Sequence, residues 1–173
     1  LYADRYGLDE RRVHVIPIHT DETDGYRGYG ETSPRAKPYV LALGSKTRKF
    51  MPVARACDQL DVDLVVITRP NHPNDDLDEI ASLGAEIITD ADRVKALTYL
   101  KHARLAAAAF EDPDLPGGFA TVVHAMFMRT PFVLTQSLGM DEHVLDGETG
   151  YVTPHDDEAA LHRRIPAPLA QLG

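Results

Sequence analysis

The chain has 173 residues, a formal net charge of −9, and 43% hydrophobic against 26% charged residues. That length and composition suit one globular domain around one core. The acidic balance excludes a general nucleic-acid binder, which needs a basic face, and no run approaches the ~18 uninterrupted apolar residues of a membrane-spanning helix.

The chain begins at Leu1 with neither an initiator Met nor a basic-then-apolar leader, so it is expected to be a piece of a longer protein without a signal peptide. The single cysteine, Cys57, allows no internal disulfide and fits a reducing, cytoplasmic setting. Along the chain, RVHVIPI (12–18) has the character of a strand. Residues 20–38 are rich in Gly, Asp, Thr and Pro and are expected to form a loop or linker. YVLALG (39–44) is an apolar run ending in Gly, and 48–60 follows with helical spacing at Phe50, Val53, Ala54, Cys57 and Leu60. Pro52 falls early enough for the first turn. A buried strand is expected at 63–68, a helix at 74–84 with acidic residues first and Gly84 as C-cap, and a short strand at 86–89. Residues 90–103 open on an Asp cap and place Val94, Leu97 and Leu100 on one face. The remaining expectations are a strand at 104–110, a helix at 118–129, a strand at 131–135, a short helix near 141–146, a strand at 150–154 and a helix at 156–165.

Short, nearly continuous apolar strands separated by helices imply parallel pairing covered on both faces. The predicted fold is α/β, a Rossmann-like doubly wound sheet. Ligands in such sheets bind at the carboxyl ends of the strands near the switch point, which directs attention to loops 44–49, 68–74, 89–92, 110–119 and 135–142.

Three stretches in those loops could carry chemistry. GSKTRK (44–49) gathers Lys46, Arg48 and Lys49 after a strand and at a helix start, where backbone N–H groups already favour an anion. It lacks the second glycine of a P-loop, and a solvated basic turn has the same composition. LPGGFATVVHAM (115–126) puts Gly117 and Gly118 at a corner, where the backbone can approach a ligand closely and the next turn offers N–H groups. An ordinary strand-to-helix corner looks the same, and His124 on that helix suits a core or rim position as well as a site. In 137–161, Glu142 and His143 are the polar residues nearest the expected switch point, while Asp156 or Asp157 is expected to cap the last helix. Ser137 has no nucleophile-elbow context, Cys57 lies on a helix face, and no metal-ligand spacing occurs, so neither a catalytic residue nor a metal is assigned.

The last stretch, TPFVLTQSLGMDEHVLDGETGYVTPHDDEAAL, resembles the C-terminal half of the family-4, or group 1, retaining glycosyltransferases. Gly139, Glu142, Asp146, Gly147, Thr149, Gly150, Pro154 and Asp156 match that family's pattern in order. YGLDERRVHVIPIHTD and YVLALGSKTRKFMPVARAC resemble its preceding segments. The resemblance implies one half of a GT-B fold: residues 1–173 as a single donor-binding domain, with an acceptor-binding domain upstream. It implies a nucleotide-diphosphate sugar as donor substrate and no metal or other cofactor. Lys49, with Arg48 and Lys46 beside it, would neutralise the donor diphosphate. Thr89 and Asp90 would hold the base through the backbone. Gly117, Gly118 and Phe119 would shape the sugar pocket, with Glu142 at its rim. The family pattern E-G-F-G-(apolar)-x-x-(apolar)-E-A-M aligns its second Glu, near the ribose, with His124, and its first with Pro116. Both signature carboxylates are thus replaced. Either an active transferase with an altered donor site or a non-catalytic GT-B-like binding module fits that departure.

Overall fold

The computed structural model describes residues 6–12, 14, 16, 18, 28–45, 47–71 and 76–166. Twelve elements follow one another in the core of the chain. They are β1 (Val40–Leu43), β2 (Arg48–Lys49), α1 (Met51–Gln59), β3 (Leu64–Ile67), α2 (Leu77–Ser82) and β4 (Glu86–Ile88), then α3 (Arg93–His102), β5 (Leu105–Phe110), α4 (Phe119–Met128), β6 (Phe132–Thr135), β7 (Tyr151–Thr153) and α5 (Glu158–Arg164). The sheet runs β4-β3-β1-β5-β6-β7, with β2 attached beside β5. Every pair along the path is parallel, and only β2 runs antiparallel, Arg48 opposite Phe110 and Lys49 opposite Ala109. The winding reverses between the adjacent strands β1 and β5, as the doubly wound expectation requires.

Each strand divides its side chains between two cores, because successive residues point to opposite faces. Leu41, Val65, Ala106, Ala108, Phe110, Phe132 and Leu134 pack with α3 and α4 on one side. Val40, Ala42, Leu64, Val66, Ala107, Ala109 and Val133 pack with α1, α2 and α5 on the other. The all-apolar strand sequences are the consequence of burying both faces. The small residues of β5 (Leu105–Phe110, LAAAAF) let helices close in on the centre of the sheet.

Local chemistry sets the helix starts. Asp76 caps α2 by accepting from the Asp78 and Glu79 N–H groups. Asp92, not Asp90, caps α3 through Lys95 N–H, and Asp157 caps α5 through Ala160 N–H. Gly84 follows α2 at φ +87°. The segment before β1 is tied across the sheet by Arg35, which bonds Glu86 and lies 3.2 Å from Asp63. Gly30 N–H donates to Thr98 Oγ1 at 3.3 Å, and Lys101 Nζ donates to Tyr29 O at 3.1 Å.

Four expectations need correction. Arg48 and Lys49 do not begin the first helix. They form β2, because the N–H and C=O groups at the end of β5 offer them a ladder. Val94 is exposed, so α3 buries only Leu97, Tyr99 and Leu100. The helix near 141–146 is a 3-10 turn, Met140–Glu142. In the segment read as a strand at 12–18, Arg12 ends a 3-10 turn and the other described residues, His14, Ile16 and Ile18, carry no strand. Alternation alone does not form a strand, and these residues pair with no strand among the described residues. Residues 13, 15, 17 and 19–27, including part of the expected linker, lie outside the described residues.

Among the described residues, no helix is long and apolar enough to cross a membrane. A Cβ at Gly150 would lie 2.2 Å from the Phe132 ring. Gly150→Ala therefore overpacks the β6–β7 layer and is expected to cost about 1–3 kcal/mol, roughly 3–10 °C in thermal denaturation.

Candidate functional site

The carboxyl ends of β1 and β5 meet at the switch point, and the two glycine-bearing loops converge there. The first, after β1, turns through Gly44 at φ +136° into β2. Glu111 N–H donates to Thr47 O at 3.1 Å, locking that loop to the end of β5. The second, after β5, ends at Gly118 with φ +82°, the N-cap of α4. Ser137 Oγ, buried at the end of β6, accepts from Gly117 N–H at 2.9 Å and donates to Leu115 O at 3.0 Å. The Phe110 ring lies beneath the second loop: a Cβ at Gly118 would come within 2.4 Å of Phe110 Cζ. Both the left-handed backbone and the close approach require glycine there.

The antiparallel pairing of β2 separates the two cations that sequence places side by side. Arg48 turns to the α4 face and is buried, with 5% of its surface exposed. Its guanidinium carbon lies 4.5 Å from the centre of the Phe110 ring. Its Nε donates to Leu43 O at 3.2 Å, and a terminal nitrogen donates to Thr121 Oγ1 at 3.1 Å. Burial lowers its pKa to about 10, so it remains a cation at neutral pH. Lys49 turns to the α5 face, where its ammonium lies 3.4 Å from Asp156. It lines a cleft of about 300 Å³ with Thr135, Asp156, Asp157, Glu158 and Leu161. Asp156 adopts φ +57° and pairs with His155 at 3.1 Å, and the other nitrogen of that ring contacts Phe110 O and Glu111 O. Lys46 lies outside the described residues.

Gly117, Gly118 and Phe119 sit together at the start of α4, where no side chain caps the helix and its first N–H groups have no partner within it. A buried guanidinium behind a helix N-terminus makes a position that favours an anion. His124, one turn along α4, directs Nδ1 onto Ala120 O of its own helix. Glu142 is exposed on the 3-10 turn beyond β6. Thr89 and Asp90 follow β4, the edge strand, three strands from β5. Lys95 beside Asp90, at 3.0 Å, holds that carboxyl below its usual range. The structure thus brings Arg48, Gly117, Gly118 and Phe119 around Phe110, places Lys49 across the sheet edge, and leaves Thr89 and Asp90 at the far end of the same row of strand ends. Sequence reasoning did not assign Thr121 or Ser137 to this cluster, and it set His143 near the switch point without giving it a role. His143 stacks on Phe119 with ring centres 4.9 Å apart. Thr121 meets Arg48 across 73 residues, and no local spacing signals such a contact. Cys57 is buried, which pushes its thiol up to about 12 and removes it as a nucleophile.

Residues 45–170 match the family described as glycosyl transferases group 1. The chain belongs to that family. Its fold agrees: a Rickettsia africae glycosyltransferase superimposes with a TM-score of 0.72 at 16% identity, over 99% of this chain and 50% of its own. Anabaena HepE in complex with UDP-glucose gives 0.69 at 17% identity, over 98% of this chain and 51% of its own. The C-terminal domain of a group 1 glycosyltransferase from Francisella tularensis gives 0.58 at 15% identity, over 89% and 84%. The sheet is therefore the Rossmann-like half of a GT-B fold, and the chain spans about half the length of the first two proteins. No curated protein sequence matches it.

For this group 1 glycosyltransferase chain, Gly118→Ala is expected to cost about 3 kcal/mol, strain and overpacking together. Calorimetric melting should show it, and combining it with Phe110→Leu should cost less than the sum of the two single losses, because Cζ is the atom in the way. An additive double mutant would show that the ring is not the obstacle.

Proposed function

We propose that this chain is the donor-binding half of a retaining glycosyltransferase of the hexosyltransferase type, taking a nucleotide-diphosphate sugar and completed by an acceptor-binding domain upstream. The observation that carries the reading is the uncapped start of α4 at the switch point, backed by the buried Arg48 guanidinium. Negative charge grows on the leaving diphosphate during transfer, and preoriented N–H groups and cations stabilise that charge. The diphosphate would lie against the Gly118–Phe119 turn, with Arg48 behind it and Lys49 and Lys46 at its flank. On binding, Lys49 would exchange Asp156 for phosphate. The sugar would occupy the space before Gly117, Gly118 and Phe119, with Glu142 at the rim and His124 toward the ribose. The base would run along the strand ends to Thr89 and Asp90. No metal enters this scheme, since the cations and the helix N-terminus supply the positive charge. The proposed setting is the cytoplasm. The presence of UDP-glucose in the Anabaena HepE complex supports the ligand class. Without the acceptor domain, the 173-residue chain would bind donor and not turn over.

A second reading, a non-catalytic binding module, draws on Pro116 and on His124, whose Nδ1 is committed to its own helix. Calorimetric titration with UDP, GDP and ADP in the absence of metal separates the two. The donor reading expects one nucleotide to bind, and Lys49→Ala and Arg48→Met each to weaken it by about tenfold, the value of one charge-assisted contact. Arg48→Met keeps an apolar stem on Phe110, so its melting temperature should hold within about 4 °C. Failure of all three nucleotides at millimolar concentration with the folded chain would sink the donor reading.

A further inference from the structure

We propose that His143 is the specificity-determining residue of this donor site, the side chain that hydrogen-bonds hydroxyls of the transferred sugar. The assignment rests on the donor-binding reading above and names a residue that reading does not use. Neither His143 ring nitrogen has a hydrogen-bond partner among the described residues, and both are buried. Three other histidines of the fold each direct at least one ring nitrogen to a main-chain oxygen: His102 to Gly30 O, His124 through Nδ1 to Ala120 O, and His155 to Phe110 O and Glu111 O. Burying two polar atoms without partners costs stability. A residue whose only role is to fill the core would be better served by an aliphatic side chain.

The position supplies the reason. His143 N–H donates to Met140 O at 3.0 Å, which fixes its backbone on the 3-10 turn after β6. Met140 is buried, and its methyl lies 3.5 Å from where a Gly118 Cβ would stand. The imidazole is therefore anchored against the corner that opens α4, with its ring on Phe119, the first helical residue. Phe119 is half-buried, and Gly139 beside it, at φ +78°, carries no side chain to confine the ring. When Phe119 turns aside, one nitrogen of the neutral imidazole can donate and the other can accept. That pairing suits a hydroxyl-rich ligand, whose groups both give and take hydrogen bonds. A diphosphate only accepts, and it already has the α4 N–H groups and Arg48.

His143→Phe keeps the ring stack and removes both nitrogens. Wild type and variant are melted without ligand and titrated with UDP, GDP and ADP and with the glucose conjugate of each. The expected result is a variant that melts about 2–6 °C higher, because two unsatisfied atoms are gone. Its affinity for the free nucleoside diphosphate should be unchanged, and its affinity for the glucose conjugate about five- to tenfold lower. A lower melting temperature would mean that the nitrogens have partners in the ligand-free protein, and would overturn the assignment. Equal losses for diphosphate and conjugate, or no loss for either, would overturn it as well. Wild type that binds none of the six ligands would sink the donor-site reading itself, a result distinct from wild type that binds and a variant that binds equally well.

Discussion

The Phe110 ring holds the switch point together. It closes β5, lies under the Gly118 backbone and stacks against the Arg48 guanidinium. A flat ring can serve two such neighbours at once, because its face attracts a cation and its edge packs on a backbone with no Cβ. Three distant parts of the sequence depend on it: the basic loop, the strand end and the glycine corner. Ser137 and Thr135, at the end of β6, add a fourth by hydrogen-bonding Gly117 N–H and Phe110 N–H. The loops at the carboxyl edge are thus as tightly specified as the sheet beneath them. That rigidity is what a site needs if it is to offer fixed dipoles to a charge.

The short strand β2 determines where positive charge goes. Its two residues pair with the end of β5, so the pleat sends Arg48 and Lys49 to opposite faces. One cation becomes buried and immobile behind α4, and the other stays half-exposed against Asp156. The buried one carries a desolvation cost that lowers its pKa. It offsets that cost by bonding Leu43 O and Thr121, and its charge acts in a medium where it is weakly screened. The exposed one is held by a pair of little energetic value, which makes it easy to redirect.

The succession of strands and helices, the helix caps and the doubly wound layout were legible in the sequence because each rests on a local signal: apolar runs of four to six residues, Asp before a helical pattern, Gly84 after one. The glycine corner was legible for the same reason. What escaped was non-local. Arg48 and Lys49 have the composition of a helix start and become a strand only because β5 presents a free ladder. The contact of Arg48 with Thr121 and the stacking of His143 on Phe119 join residues that no periodicity connects. Val94 fits the apolar stripe of α3 by spacing, yet it lies outside the buried face, since a helix against a sheet buries a narrower arc than its pattern allows. For the candidate site, sequence named the loops that meet at the switch point but not the opposite faces to which Arg48 and Lys49 turn.

The resemblance that sets Pro116 and His124 where the family pattern has two carboxylates implies a change in the electrostatics of the corner in a definite direction. A carboxylate at position 116 or 124 would sit close to the positive start of α4 and oppose the Arg48 field felt by an incoming phosphate. Pro116 and a histidine bonded to its own helix impose no such opposition. The corner therefore favours an anion more strongly and offers fewer charged acceptors for hydroxyls. On the donor-binding reading, hydroxyl recognition then falls to groups other than carboxylates: the imidazole of His143 and the backbone of the Gly117–Gly118 turn. Neutral hydrogen bonds discriminate through the cost of leaving a partner unsatisfied more than through attraction. An imidazole whose two buried nitrogens have no partner among the described residues carries that cost in advance, so a sugar hydroxyl placed correctly gains more from meeting it than it would from an exposed carboxylate.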